Sequence, residues 1–75
     1  MIGAYVLITA KSGAEKQVLE KLRKYKEITD ARIVYGEYDI IAKIQVPDIS
    51  DLNDFLLEKV RSLDIEKTST LIVAA

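Results

Sequence analysis

The chain has 75 residues, which is enough for one small domain and too few for two. Eleven basic residues and twelve acidic residues give a formal net charge of −1, so the composition does not favour a polyanion such as DNA as a partner. Cysteine and histidine are absent, which excludes disulfides, the common zinc sites and the usual catalytic bases and thiol nucleophiles.

The small size predicts a thin hydrophobic core. A domain of this length buries only about 60% of the surface that its unfolded chain exposes, and disulfides, a metal or oligomerisation usually supplement it. With no cysteine or histidine, oligomerisation is the device we expect. The apolar start of the chain lacks a basic leader and is too short to span a bilayer, so we expect a cytoplasmic protein with no membrane partner.

The first half of the chain predicts a strand, a helix and a hairpin. Ile2 to Ala10 is a short apolar run rich in β-formers, and Ser12-Gly13-Ala14-Glu15 then fits a capping box at the start of a helix that runs from about Ala14 to Tyr25. Ala31 to Tyr35 predicts the next strand, and Gly36-Glu37 suits a two-residue type II′ turn.

The second half predicts a strand, a helix and a last strand. Ile40 to Val46 is the return strand of the hairpin, and Pro47 ends it. Asp48 and Ser50 are both candidate caps for a helix near 49 to 62. Lys67 to Val73 predicts the last strand. The apolar stripe of the helix comprises Ile49, Leu52, Leu56, Val60 and Leu63, with Phe55 beside it.

The element order βαββαβ leads to one compact solution when crossovers are right-handed. We predict an α+β, ferredoxin-like sandwich with a four-stranded antiparallel sheet in the order 4-1-3-2. Both helices then lie on one face of the sheet, and residues 1–75 form a single domain.

The helix-free face of this sheet is more apolar than a monomer needs. Tyr5 and Leu7 of the first strand, Val34 of the second and Ile41 of the third are the residues we predict at a dimer interface formed by the sheets of two copies. The alternative is a slightly apolar monomer surface, because singly exposed apolar residues are normal.

Catalysis and nucleic-acid binding both lack a supporting motif. No Gly-rich phosphate loop occurs, and the loop Lys11-Ser12-Gly13 lacks the arginine that an acylphosphatase-like phosphate cradle would need. An RNA-recognition domain of this topology needs stacking aromatics on its two central strands, where Tyr5 is the only one. We therefore expect no catalytic residue, no cofactor, no metal and no direct contact with nucleic acid.

Polar groups gather at the hairpin turn and in the last strand. The segment Tyr35-Gly36-Glu37-Tyr38-Asp39 holds more than a turn requires, and the shared parity of Thr68 and Thr70 places both hydroxyls on one face. A carboxylate, several hydroxyls and turn amides suit a zwitterion. Each residue alone also has a structural explanation, as a turn or strand residue.

Three segments, AYVLITAKSGAEKQVLEKL, YGEYDIIAKI and TSTLIV, together resemble the effector-binding domain of Lrp/AsnC-type transcription regulators, called the RAM domain, over essentially the whole chain. The resemblance implies dimers formed through the sheet faces, octameric rings of dimers, and amino acids bound at the contacts between dimers. Asp39 would then meet the ligand ammonium. The matching positions are Gly36, Tyr38, Asp39, Thr68, Ser69 and Thr70.

The resemblance also has a departure and two alternatives. Such regulators carry a DNA-binding helix-turn-helix before this domain, whereas this sequence enters its first strand directly after Met1. The sequence is therefore expected to be a stand-alone RAM protein, which could co-assemble with full-length Lrp/AsnC-type regulators, or equally an expressed fragment. A structural oligomerisation module without ligand is one alternative. An ACT-type amino-acid-binding domain, with its site near the first strand-to-helix loop, is the other.

Overall fold

The computed structural model describes all 75 residues, and the predicted fold class and strand order are confirmed. The sheet is antiparallel throughout, in the order β2-β3-β1-β4. No helix is long and apolar enough to cross a membrane. The elements are β1 (Ile2–Ala10), α1 (Glu15–Arg23), β2 (Ile28–Ile33), β3 (Ile40–Val46), α2 (Ile49–Phe55), a π-helical turn (Leu56–Val60) and β4 (Ile65–Ile72).

The core lies between the helices and one face of the two central strands. Alternate residues of β1 and β3 are buried, as period-2 patterning requires, and the buried residues of α1 and α2 join the same cluster. Only 15 of 75 residues are buried, so the core is as thin as the chain length predicts. The buried strand residues are Ala4, Val6, Ile8, Ala10, Ala31, Ile40, Ala42, Ile44 and Val46, and the buried helix-side residues are Val18, Leu22, Leu52, Phe55, Val60 and Leu63.

The start of α1 differs from the predicted capping box. Gly13 adopts φ +83°, and the Ala14 N–H donates to the Lys11 carbonyl at 2.9 Å, which closes a turn before the helix. The helix begins at Glu15, whose carboxylate accepts from the Gly13 N–H at 3.2 Å. Ser12 makes no capping hydrogen bond, so the predicted cap was wrong. The extra turn displaces Ser12 from the position that a cap must occupy.

The β2–β3 connection also differs from the predicted two-residue turn. The Val34 N–H donates to the Asp39 carbonyl at 2.8 Å, so residues 35–38 form a four-residue loop in which Gly36 has φ +146°. The Asp39 N–H donates to the carbonyl of Ile8 in β1 at 2.9 Å. Because this bond holds the base of the hairpin against β1, the ladder stops before Tyr35 and Tyr38 could pair.

The second helix is capped by Asp48 and interrupted after Phe55. Asp48 Oδ1 accepts from the Ser50 hydroxyl at 2.7 Å and the Asp51 N–H at 3.1 Å, and these bonds hold the pKa of Asp48 below its ordinary value. Beyond Phe55 the Arg61 N–H donates to the Leu56 carbonyl, five residues back, at 3.1 Å.

The π-helical turn adds one residue to the helical repeat, so that Phe55 and Val60 both face the core although they are five positions apart. A continuous α-helix would bring positions three or four apart onto one face instead. Ile49, placed on the predicted stripe, is 49% exposed at the helix start. The predicted stripe is therefore confirmed at Leu52, Val60 and Leu63, with Leu56 partly buried and Phe55 buried beside it, and is wrong at Ile49.

Candidate functional site

The sheet side away from the helices, called the open face below, is apolar at its centre. Tyr5 lies opposite Lys43 in β3 and Leu71 in β4, and Leu7 lies opposite Ile41 and Ser69. Neither helix covers these side chains, and Tyr5 is 36% exposed and Leu71 56% exposed. The open face thus joins three strands through one continuous group of apolar residues.

Three of the four predicted interface residues, Tyr5, Leu7 and Ile41, are neighbours on the open face. Val34, the fourth, directly follows β2 and is half-buried. Leu71 and Val73 extend the apolar area onto the edge strand and were missing from the prediction. The period-2 alternation of the last strand would have placed Leu71 beside Ser69 on this face.

Two lysines on the open face lie over tyrosine rings. Lys43 Nζ is 5.9 Å from the centroid of the Tyr5 ring, and Lys67 Nζ is 5.4 Å from that of Tyr38. Both distances fall within the range of a cation–π contact. The second contact connects the hairpin loop to the start of β4. Its two residues, Tyr38 and Lys67, are 29 positions apart in the sequence.

The hairpin loop sits over the end of β1. Asp39 Oδ2 accepts from the Ala10 N–H at 3.1 Å, and the Thr9 hydroxyl donates to the Glu37 carbonyl at 3.5 Å. The other carboxylate oxygen of Asp39 has no hydrogen bond within the chain. Tyr35 is fully exposed at the tip and Gly36 is exposed, whereas Tyr38 is half-buried. One carboxylate oxygen is thus committed to the fold and the second is free.

The predicted β4 residues divide between the two faces of the sheet. Thr68 lies opposite Ile8 and Thr70 opposite Val6, so both hydroxyls face the helix side, as their shared parity predicts. Ser69 lies opposite Leu7 and faces the open side. Thr68 and Thr70 line a shallow groove of about 240 Å³ whose other wall is Leu56, Leu57, Val60 and Arg61.

The structure therefore brings only part of the predicted site together within one chain. The Tyr38 ring lies under Lys67 at the start of β4, because the hairpin loop and the first residues of β4 lie at the same end of the sheet. No concave surface of a single chain holds Asp39 together with the threonine hydroxyls. No pocket of the single chain contains all six predicted positions.

A separate cluster at the opposite end of the sheet was missed by sequence reasoning. The Lys59 ammonium donates to Glu27 Oε2 at 3.3 Å and lies 5.3 Å from the ring centroid of Tyr25 and 5.7 Å from that of Phe55. The two rings meet edge to face at 5.5 Å. Glu27 and Lys59 are 32 positions apart, so no local spacing could have indicated the pair.

Opposing effects set the charge state of Glu27. Burial raises the pKa of this carboxyl, whereas its own backbone N–H, the Lys59 ammonium and the nearby Lys26 lower it. The lowering effects are larger together, so the pKa of Glu27 lies below its ordinary value. Oε1 is buried without a hydrogen-bond partner. The ion pair of Glu27 and Lys59 connects the π-helical turn to the residue before β2, and no group of acidic side chains in the chain is arranged to hold a metal ion.

Comparison with known proteins decides the family. The family described as "Lrp/AsnC ligand binding domain" matches residues 3–75. The chain belongs to this family. FFRP-DM1, a solved structure, is similar to this Lrp/AsnC domain with a TM-score of 0.96 and 40% identity, over 99% of this chain and 100% of that one.

Two curated relatives are transcriptional regulators. The chain is 39% identical over 71 residues to HTH-type transcriptional regulator FL11 of Pyrococcus furiosus, which is 93% of this chain and 46% of that protein. It is 34% identical over 74 residues to regulatory protein AsnC of Escherichia coli K12, which is 96% of this chain and 49% of that protein. The Lrp/AsnC domain thus spans about half the length of these relatives, which are regulators and not enzymes.

Proposed function

We propose that this Lrp/AsnC domain is a non-catalytic, cytoplasmic module that binds an amino acid and forms oligomers in transcription regulation. The observation that carries the proposal is the meeting of the hairpin loop and the start of β4, where Lys67 Nζ lies 5.4 Å from the Tyr38 ring. Asp39 stands beside this contact with one carboxylate oxygen free. The groups for a zwitterion are present, but one chain does not enclose them.

The first step of the proposed mechanism is dimer formation through the open face. Tyr5, Leu7, Ile41 and Leu71 would pack against the same residues of a second copy, because a C₂ interface is self-complementary. Burial of this apolar surface would supplement the thin core at about 25 cal/mol per Å². The two lysines already lie over tyrosine rings, which keeps their charges from pointing straight into the partner.

The second step places the ligand between dimers. The free oxygen of Asp39 would accept from the ligand ammonium, and the amides near Gly36 with hydroxyls of Thr68, Ser69 or Thr70 would meet its carboxylate. Because one chain supplies these groups from two faces of the sheet, they would come from neighbouring copies. The ligand would then favour the assembly that closes its pocket, by the difference in its affinity for the two states.

Calorimetric titration with the proteinogenic amino acids tests ligand binding, with the oligomer mass measured by light scattering in parallel. We expect one amino acid, or a few of related structure, to bind and to raise the mass. Asp39→Asn should abolish binding with the fold retained, because it removes the charge and keeps an oxygen for the Ala10 N–H. Glu37→Gln is the matched control, since this exposed neighbour should be dispensable. Absence of binding across the set at millimolar concentration would leave a structural oligomerisation module instead.

The proposed partners are further copies of this chain and full-length Lrp/AsnC-type regulators. A regulator with the same domain would offer a similar open face, so mixed dimers can form through the same apolar residues. Co-expression of this chain with such a regulator, each carrying a different tag, should yield mixed dimers. Leu7→Lys should prevent both self-assembly and mixed assembly, whereas recovery of mixed dimers with this variant would contradict the shared interface.

A further inference from the structure

We propose that the outer edge of β4 is a second docking surface, and that its occupant is β4 of another copy, paired antiparallel about a two-fold axis at Thr70. The pairing would join two four-stranded sheets edge to edge. It is distinct from the face-to-face contact of the open faces and does not depend on a ligand.

The free backbone groups of β4 follow from its register with β1. The Val73 N–H donates to the Gly3 carbonyl at 2.9 Å, so Val73 directs its backbone toward β1. In an antiparallel ladder this direction alternates, and Leu71 and Ser69 therefore also face β1. The N–H and C=O groups of Thr68, Thr70 and Ile72 point away from the sheet, where no neighbouring strand exists.

The opposite edge of the sheet is protected, whereas β4 carries charged side chains only at its start, at Glu66 and Lys67. On β2 the Arg23 guanidinium donates twice to the outward carbonyl of Ala31, at 2.8 and 3.2 Å. Asp30 and Arg32 form an exposed ion pair at 3.0 Å on the same strand. Charged side chains and covered backbone are the usual devices that prevent an edge strand from pairing with another chain. Residues 68–75 hold no charged side chain, no proline and no glycine.

The side chains of β4 support an identical partner. Leu71, Ile72 and Val73 are about half exposed, and Ile72 lies on the helix side of the strand. Antiparallel pairing about Thr70 brings uncharged residues of the two copies together, so like charges do not meet. Each of the three outward residues can exchange backbone hydrogen bonds with the partner. Strand addition of this kind obtains affinity from the main chain and specificity from alternate side chains.

The size of the contact limits its strength. One strand edge buries less than the roughly 800 Å² per partner of a standard stable interface. Edge pairing between two single chains should therefore be weak. Pairing between two open-face dimers should be stronger, because two dimers joined by paired edges bury more surface than two single chains do. The expected result for the full chain is a mass of four copies or a multiple of it at high concentration.

Thr70→Pro tests the proposal. It removes an outward N–H and leaves the ladder to β1 intact, because proline is tolerated at an edge position whose N–H faces solvent. Sedimentation at increasing concentration should show that this variant has half the mass of the parent chain. Ile72→Lys is a second variant that changes only an exposed side chain and should act alike. Ile33→Pro, at an outward position of β2, is the matched control and should keep the parent mass.

Amide hydrogen exchange gives a readout at the paired backbone itself. The Thr70 and Ile72 N–H groups should exchange slowly at high concentration and fast on dilution, whereas the Leu71 N–H stays protected by β1. Fast exchange at Thr70 and Ile72 at every concentration would overturn the proposal. A Thr70→Pro variant that folds and keeps the mass of the parent chain would also overturn it. So would assembly of the parent chain into oligomers of unlimited length that Ile33→Pro prevents, because such assembly indicates pairing of β4 with β2.

Discussion

The Asp39 carboxylate accepts a hydrogen bond from the backbone N–H of Ala10 at 3.1 Å, and the two residues are 29 positions apart. The same aspartate donates its own N–H to Ile8 and accepts from Val34 through its carbonyl. Two of these three bonds, to Ala10 and Ile8, join the hairpin to the end of β1, and the third closes the hairpin loop itself. The residue proposed to bind the ligand is also the residue that positions the loop around it.

Asp39→Ala should destabilise the fold by about 1–3 kcal/mol, because the Ala10 N–H loses its acceptor in a part-buried position. Asp39→Asn should retain most of the stability, since its amide oxygen can take over that bond. Urea denaturation of both variants at pH 7 measures the difference. Equal destabilisation by the two substitutions would mean that the charge, and not the acceptor oxygen, stabilises the loop.

Glu27→Gln should reduce the loss of folding stability that the parent chain shows at acid pH. The pKa of Glu27 is below its ordinary value of 4.5 in the folded protein, so the native state binds this proton less readily than the unfolded chain. The stabilisation is complete above pH 4.5 and is lost as the pH falls through the folded-state pKa. The variant should be less stable than the parent at pH 7 and approach it near the acid end of the range.

The urea midpoints of the parent chain and of Glu27→Gln, measured between pH 7 and pH 3, test this expectation. Glu20→Gln, at an exposed position, is the control for loss of one surface carboxylate. The control should give a curve parallel to that of the parent. If the Glu27→Gln curve also runs parallel to the parent curve, the pair with Lys59 contributes no stability that depends on protonation.

Phe55→Ala should cost about 3–5 kcal/mol, because it removes a buried ring from the core and leaves a cavity. It also removes the edge-to-face partner of Tyr25 and one of the two rings beneath Lys59. Ile49→Ala, at a half-exposed position of the same helix, should cost less than about 1 kcal/mol. Chemical denaturation distinguishes the two, and similar losses would contradict the burial of Phe55 in the core and the exposure of Ile49.

Local patterns account for the parts of the molecule that sequence reasoning predicted well. The element order predicted that Ile2–Ala10 and Ile40–Val46 are the central strands of the sheet, and both are apolar on the helix side, as central strands require. The parity of Thr68 and Thr70 was likewise readable, because strand geometry places alternate residues on one face. The family resemblance rested on the same stretches of sequence and is confirmed.

Local turn geometry and contacts between distant residues account for the parts that were wrong or missed. The capping box, the two-residue turn and the unbroken second helix were each favoured by local sequence, and each was overridden by local turn geometry or by packing. The chain by itself determined the order of elements and the face of each strand, because these depend on spacing along the backbone. Only the tertiary structure decided the loop held by Asp39 and Ala10, the ion pair of Glu27 and Lys59, and the bare edge of β4, because each depends on which distant segments the fold brings together.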